Sequence, residues 1–131
     1  MLKGGARMRF SKQKQLIENI VKGRFDHPTA DNIYMSCREY MPSISLGTVY
    51  RNLKVLSEEG AIETLESVDK KIHYDGRDGF HSHFICVKCG NIHDVMESQS
   101  FPKELESEGY SVLASKNTYY GVCPLCKEKI N

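Results

Sequence analysis

Hydrophobic positions recur at helical spacing three times in the first sixty residues. Leu16, Ile17, Ile20 and Val21 lie three and four residues apart, which predicts a helix over residues 11–22, capped by Ser11 and stopped at Gly23. Lys12 and Lys14 then fall in its first turn, where cations oppose the helix dipole, a placement that suits a phosphate partner. Ala30, Ile33, Cys37 and Tyr40 form a second stripe, with Thr29 as cap behind Pro28 and Pro42 as its end. Leu46, Val49, Leu53 and Leu56 form a third over residues 46–59, between a Ser45 cap and Gly60, which supplies a left-handed end. At about 100° per residue, Gly47, Thr48, Arg51 and Val55 of this helix face away from the stripe, with Tyr50 and Asn52 flanking them.

The pattern then changes period. Residues 61–65 and 71–75 read as two strands around a polar turn, so three helices and a hairpin make a winged helix-turn-helix. In that setting the third helix is the recognition helix. Its outer face of small, aromatic and basic residues, free of acids in its first two turns, suits the DNA major groove, and the hairpin is the wing beside the backbone. The same face alone also fits an ordinary amphipathic core helix. Thr48, Tyr50, Arg51 and Asn52, with Lys12 and Lys14, are the candidate DNA contacts. Residues 76–80, with Gly76 and Gly79 among mixed charges, read as a hinge. Short strands at 84–86, 92–95, 110–114 and 118–122, with a helix over 101–108 ended by Gly109, describe a small α/β unit. The expected fold class is α+β: a winged helix-turn-helix domain over 1–75, a hinge over 76–80, and a small α/β domain over 81–131. Each half is small enough to need a metal, a partner chain or both.

Charge and cysteine usage sharpen this picture. Residues 1–60 carry ten Lys/Arg against six Asp/Glu, while residues 61–131 carry eight against eleven. The first 24 residues hold seven basic groups and one acid, a footprint for a polyanion or a plain solvated surface. No apolar run approaches the roughly 20 residues of a membrane span, and residues 1–10 lack the apolar core of a signal peptide, so a cytoplasmic protein is expected. Four of the five cysteines form Cys-x-x-Cys pairs, Cys86/Cys89 and Cys123/Cys126, separated by 33 residues. Two such knuckles bring four thiolates into a closed tetrahedral site for structural zinc in a reducing compartment. Rubredoxin-like iron has similar spacing, but the remainder of the chain does not resemble a small electron carrier. Cys37 is left over and reads as a small buried residue. His81 and His83 share one face of a strand and can serve a second metal nearby. His73 and His93 alternate with Tyr74 and Asp94 and are read as non-ligands.

His27-Pro28-Thr29-Ala30-Asp31, then Pro42-Ser43-Ile44-Ser45-Leu46-Gly47-Thr48-Val49-Tyr50-Arg51-Asn52-Leu53, then His81-x-His83-x-x-Cys86-x-x-Cys89-Gly90 closely resemble the ferric uptake regulator (Fur) family, in order and over nearly the whole chain. The resemblance implies a homodimeric, metal-dependent transcription factor on double-stranded operator DNA, with the C-terminal domain as the dimerisation domain. Within the family the chain is most similar to the peroxide-responsive repressors. That subgroup implies a regulatory Fe²⁺ or Mn²⁺ site of three histidines and two aspartates, here His27, Asp75, His81, His83 and Asp94. Iron-uptake sensors tend to carry glutamate where Asp94 stands, and a denser histidine run before the first cysteine pair. Imidazole and carboxylate donors suit Mn²⁺ and Fe²⁺ better than a soft metal. The resemblance further implies that peroxide, the only small molecule expected, oxidises His27 or His81 when iron is bound and so releases the repressor. An iron- or manganese-uptake regulator of the same fold is the alternative. An oxygenase with two histidines and one carboxylate is disfavoured, because five ligands leave little room for a substrate, so no enzyme activity is expected.

Overall fold

A computed structural model of the chain describes residues 4–76, 81–96, 102–113 and 117–130; side chains are described from residue 11 onward, except those of residues 81 and 130. The chain divides into two compact units, residues 1–66 with 70–77, and residues 67–69 with 78–131.

The first unit holds α1 (Gly4–Lys22), α2 (Ala30–Tyr40), α3 (Leu46–Glu58), β1 (Glu63–Glu66) and β2 (Ile72–Asp75). Its core joins Ile17 and Val21 of α1, Ile33 and Cys37 of α2, and Val49, Leu53 and Leu56 of α3, all fully buried. Thr29 caps α2 as expected: its hydroxyl accepts the Asn32 N–H, and the Asn32 side chain accepts the Thr29 N–H in return. Ser45 caps α3 by accepting the Thr48 N–H at 3.1 Å, and Gly60 follows with φ +77°. β1 and β2 pair antiparallel, with Glu63 opposite Asp75 and Leu65 opposite His73. Replacing Leu53 by Ala should cost about 2–5 kcal/mol, because a fully buried leucine leaves a cavity the three helices close only in part. Urea denaturation followed by circular dichroism measures it, and a loss below about 1 kcal/mol would contradict this core.

Several expected details differ. α1 begins at Gly4, so Ser11 lies inside the helix and caps nothing. The upstream Ala6, Arg7 and Met8 are good helix formers and extend it. Lys12 and Lys14 therefore lie mid-helix, and the dipole argument for a phosphate partner does not hold there. Tyr40 is 71% exposed rather than buried, since it is the last residue of α2 and the chain turns away at Met41. Leu46, the first residue of α3, is also partly exposed. Thr48 is buried rather than outward-facing. Its hydroxyl lies 2.8 Å from Ser45 Oγ and accepts from Arg51 Nη2 at 2.9 Å, so it serves the first turn of α3. Of the expected hinge, Gly76 is buried against α1: a Cβ on it would come within 2.8 Å of the Lys22 backbone. Residues 77–80 lie outside the described residues.

The second unit holds β3 (His81–Cys86), β4 (Ile92–Met96), α4 (Lys103–Ser107), β5 (Thr118–Gly121) and α5 (Pro124–Ile130). β3 is central in the order β4-β3-β5, antiparallel to β4 and parallel to β5. The strand expected over 110–114 does not form: residues 110–113 are irregular, and Ala114 lies outside the described residues. Tyr110, Val112 and Ala114 mimic strand alternation, but β4 and β5 already occupy both edges of β3, and Tyr110 and Leu113 stay exposed. The helix expected over 101–108 is the shorter α4, and Phe101 lies outside the described residues. α5 was not foreseen.

Candidate metal centres

The register of the second sheet assembles the cysteines. β3 ends at Cys86, and the turn through Cys89 is closed by the Gly90 N–H donating to the Cys86 carbonyl at 2.9 Å. Gly90 adopts φ +77°, a conformation glycine reaches without strain. β5 lies parallel with Gly121 opposite Cys86, which carries Cys123 alongside Cys86 and places Cys126 in the first turn of α5. All four sulfurs lie within 4.8 Å of one another. Cys86 Sγ accepts the backbone N–H of Cys123 at 3.4 Å and of Cys89 at 3.5 Å. These two bonds hold its thiol down to about 6. Cys126 is pushed up to about 12, first by its hydrogen bond with the Cys123 thiol and then by burial. Metal binding by thiols releases their protons, and a divalent cation stabilises the resulting thiolates. Four thiols on two knuckles with no carboxylate or imidazole among them fit zinc in a closed tetrahedral site. Cys37, in the core of the first unit, has its thiol raised to about 11 by burial and packs as an apolar side chain.

The histidines and aspartates fall into two pairs, one in each unit. In the first unit His27 follows α1 in a loop and takes φ +53°, rare for a residue with a Cβ. Its buried ring Nε2 lies 3.7 Å from Oδ2 of Asp75, the equally buried last residue of β2. The loop is stitched to β2 by a backbone bridge and by a side-chain hydrogen bond. Tyr74 donates its N–H to the Pro28 carbonyl at 2.9 Å, Thr29 bridges to His73, and His73 Nδ1 donates to the His27 carbonyl at 2.7 Å. In the second unit His83 and Asp94 are cross-strand partners on β3 and β4, so their side chains share a face. His83 Nε2 lies 3.3 Å from Asp94 Oδ1, with side-chain exposures of 3% and 10%. His81 is in register with Met96, but its side chain lies outside the described residues. His93 is exposed on the alternate face of β4. A buried imidazole–carboxylate pair is the donor chemistry of Fe²⁺ or Mn²⁺ and sits apart from the thiols.

The six candidate DNA contacts behave unequally. Tyr50, Arg51 and Lys12 are exposed. Asn52 donates to the Thr48 carbonyl at 2.9 Å, and Lys14 Nζ lies 2.7 Å from the Glu59 carboxylate. Thr48 is the buried residue at the start of α3 described above. His73, read from the sequence as a non-ligand, makes a contact that the sequence reading did not foresee. Its position two residues before Asp75 on a strand places both on one face, but the contact with the His27 carbonyl depends on the shape of a loop 46 residues away.

Three helices followed by an antiparallel hairpin, with a second unit built around four thiols and a separate histidine–aspartate donor set, define a metal-responsive regulator of winged-helix type. The chain belongs to the ferric uptake regulator family, whose family model matches residues 5–119. It is 34% identical over 129 residues to the peroxide-responsive repressor PerR of Staphylococcus epidermidis, covering 96% of this chain and 86% of that protein. Its fold matches the peroxide stress regulator of Campylobacter jejuni with a TM-score of 0.75 at 27% identity, covering 93% of this chain and 94% of that one. The ferric uptake regulator Fur of Helicobacter pylori shares the fold at a TM-score of 0.72 and 23% identity, over 92% of this chain and 89% of that one. Within its family, the chain is therefore most like the peroxide-responsive repressors. Among the described residues, no helix is long and apolar enough to cross a membrane.

Proposed function

We propose that this chain is a cytoplasmic, homodimeric repressor that binds double-stranded operator DNA and releases it when peroxide oxidises a regulatory metal site. Residues 1–75 form the DNA-binding domain, 76–80 the hinge, and 81–131 the dimerisation and metal-binding domain. Cys86, Cys89, Cys123 and Cys126 hold structural zinc. His27, Asp75, His81, His83 and Asp94 hold Fe²⁺ or Mn²⁺. The observation that carries this reading is that each unit buries one imidazole beside one carboxylate. Two donors are too few for a hard divalent ion, which takes about six, so a metal gains most by recruiting ligands from both units. Occupancy then favours one arrangement of the recognition helices over others, which is how a metal acts as an effector. Fe²⁺, if bound there, would activate peroxide toward a neighbouring imidazole, whereas Mn²⁺ reacts poorly with peroxide. Tyr110, Leu113, Tyr120 and Leu125 of the second unit are each exposed and offer apolar area that a second copy could cover.

The DNA face has its own test. Arg51 is exposed on α3, and its guanidinium is propped by the Thr48 hydroxyl at 2.9 Å. Arg51→Ala should weaken operator binding by about 1–3 kcal/mol if the guanidinium reads a base edge, and by less if it touches only phosphate. Both metals should remain bound. Fluorescence anisotropy with operator DNA measures the loss, and unchanged affinity would remove α3 as the reader.

A further inference from the structure

We propose that His73 is a positioning residue of the regulatory metal site, acting through the backbone of His27. The inference rests on the assignment of His27 and Asp75 as ligands. A carbonyl oxygen only accepts, so the 2.7 Å contact requires the proton on His73 Nδ1. The carbonyl it holds belongs to the residue with φ +53°, a backbone state that persists in a residue with a Cβ only where its surroundings over-determine it. The restraint is shared with the Tyr74 N–H on the Pro28 carbonyl, and the His73 bond acts on the His27 carbonyl itself.

The same four-residue strand carries both halves of the device. Asp75 lies two residues after His73, so β2 presents a carboxylate beside the His27 ring and a clasp on the His27 main chain from one face. Ring and carboxylate lie 3.7 Å apart, with the loop that carries the ring held on β2 through the His73 and Tyr74 bonds. His73 is half-buried, and its Nδ1 proton is committed to the His27 carbonyl.

The test uses the full-length, zinc-loaded protein, with free Mn²⁺ followed by electron paramagnetic resonance during titration. His73→Ala should raise the Mn²⁺ Kd about tenfold, roughly 1.4 kcal/mol, with zinc content unchanged. His73→Asn places an amide N–H where Nδ1 stood and should return the Kd to within about threefold of wild type, whereas His73→Gln carries its amide one bond too far and should not. Hydrogen exchange without Mn²⁺ should show faster exchange at the Tyr74 N–H in His73→Ala and His73→Gln but not in His73→Asn. Equal Mn²⁺ affinity in the Asn and Gln variants, or wild-type affinity in His73→Ala, would overturn the proposal. The Asn and Gln comparison decides it even if His73→Ala fails to fold. His27→Ala separates the two levels. If it binds Mn²⁺ like the wild type, the ligand assignment fails and His73 falls with it; if it loses Mn²⁺ while the His73 variants do not, only the positioning role fails.

Discussion

Cys86→Ser is expected to abolish zinc binding and unfold the second unit. Cys86 is fully buried, its sulfur receives two backbone N–H groups, and it sits where β3 meets the first knuckle. Serine there offers a poor ligand for zinc, and three thiols remain crowded without an ion to draw off their protons. Structural zinc binding in small domains is worth about 10–16 kcal/mol, more than the roughly 5–15 kcal/mol by which whole domains are stable. The second unit has little else to replace it. Its buried apolar residues number few beyond Ile85, and α4 buries none among the described residues. Zinc content should fall from one per chain to near zero, and the dimer should dissociate in analytical ultracentrifugation. Helical circular dichroism from α1 to α3 should largely survive, because their core contains none of these four cysteines. A folded, zinc-free dimer of Cys86→Ser would remove the structural role.

Low peroxide should release the Fe²⁺-loaded protein from operator DNA and leave the Mn²⁺-loaded protein bound. Peroxide delivers one oxygen atom to an imidazole carbon and leaves as water, so the peptide carrying His27 or His81 should gain one oxygen in mass spectrometry. An oxidised His27 weakens the donor that Asp75 flanks at 3.7 Å, and affinity for the operator should fall at least about tenfold. Asp94→Glu should keep metal-dependent DNA binding but blunt the response, since a carboxylate one methylene longer changes the 3.3 Å approach to His83 and the coordination left open. His81→Ala should lose both metal-dependent binding and the response. Release without histidine oxidation would locate the sensor at the thiols. No release at all would make this chain a regulator of metal level.

Most of the first unit was legible because its rules are local. Thr29 and Ser45 sit at their caps, and Ile17, Ile33, Leu53 and Leu56 sit in the core their periodicity assigns. The misses there are at ends, where periodicity runs out: Ser11, Tyr40 and Leu46. Thr48 was misplaced because a polar side chain at the start of a helix can turn inward to its own capping network. In the second unit the knuckles were plain from spacing, while α5 and the irregular 110–113 segment were not. Which strand takes the free edge of β3 is decided by non-local pairing, and alternation alone does not report it. The donor residues were readable as types, but the clasp of His73 on the His27 carbonyl belongs to backbone shape.

The parallel pairing of β3 with β5 also sets a timetable. Parallel neighbours need a crossover, and here Cys89 and Cys123 are separated by 33 residues of intervening chain. Closing that loop costs entropy before the thiols return anything, and contacts so distant in sequence form slowly. The three helices of the first unit depend on near neighbours and are complete earlier as the chain leaves the ribosome. A nascent chain therefore has its helical half in place while Cys86 and Cys89 still wait, reduced and unpartnered by the second knuckle, for β5 to arrive. Thiols in that interval are open to oxidants in a way that a closed four-sulfur site is not.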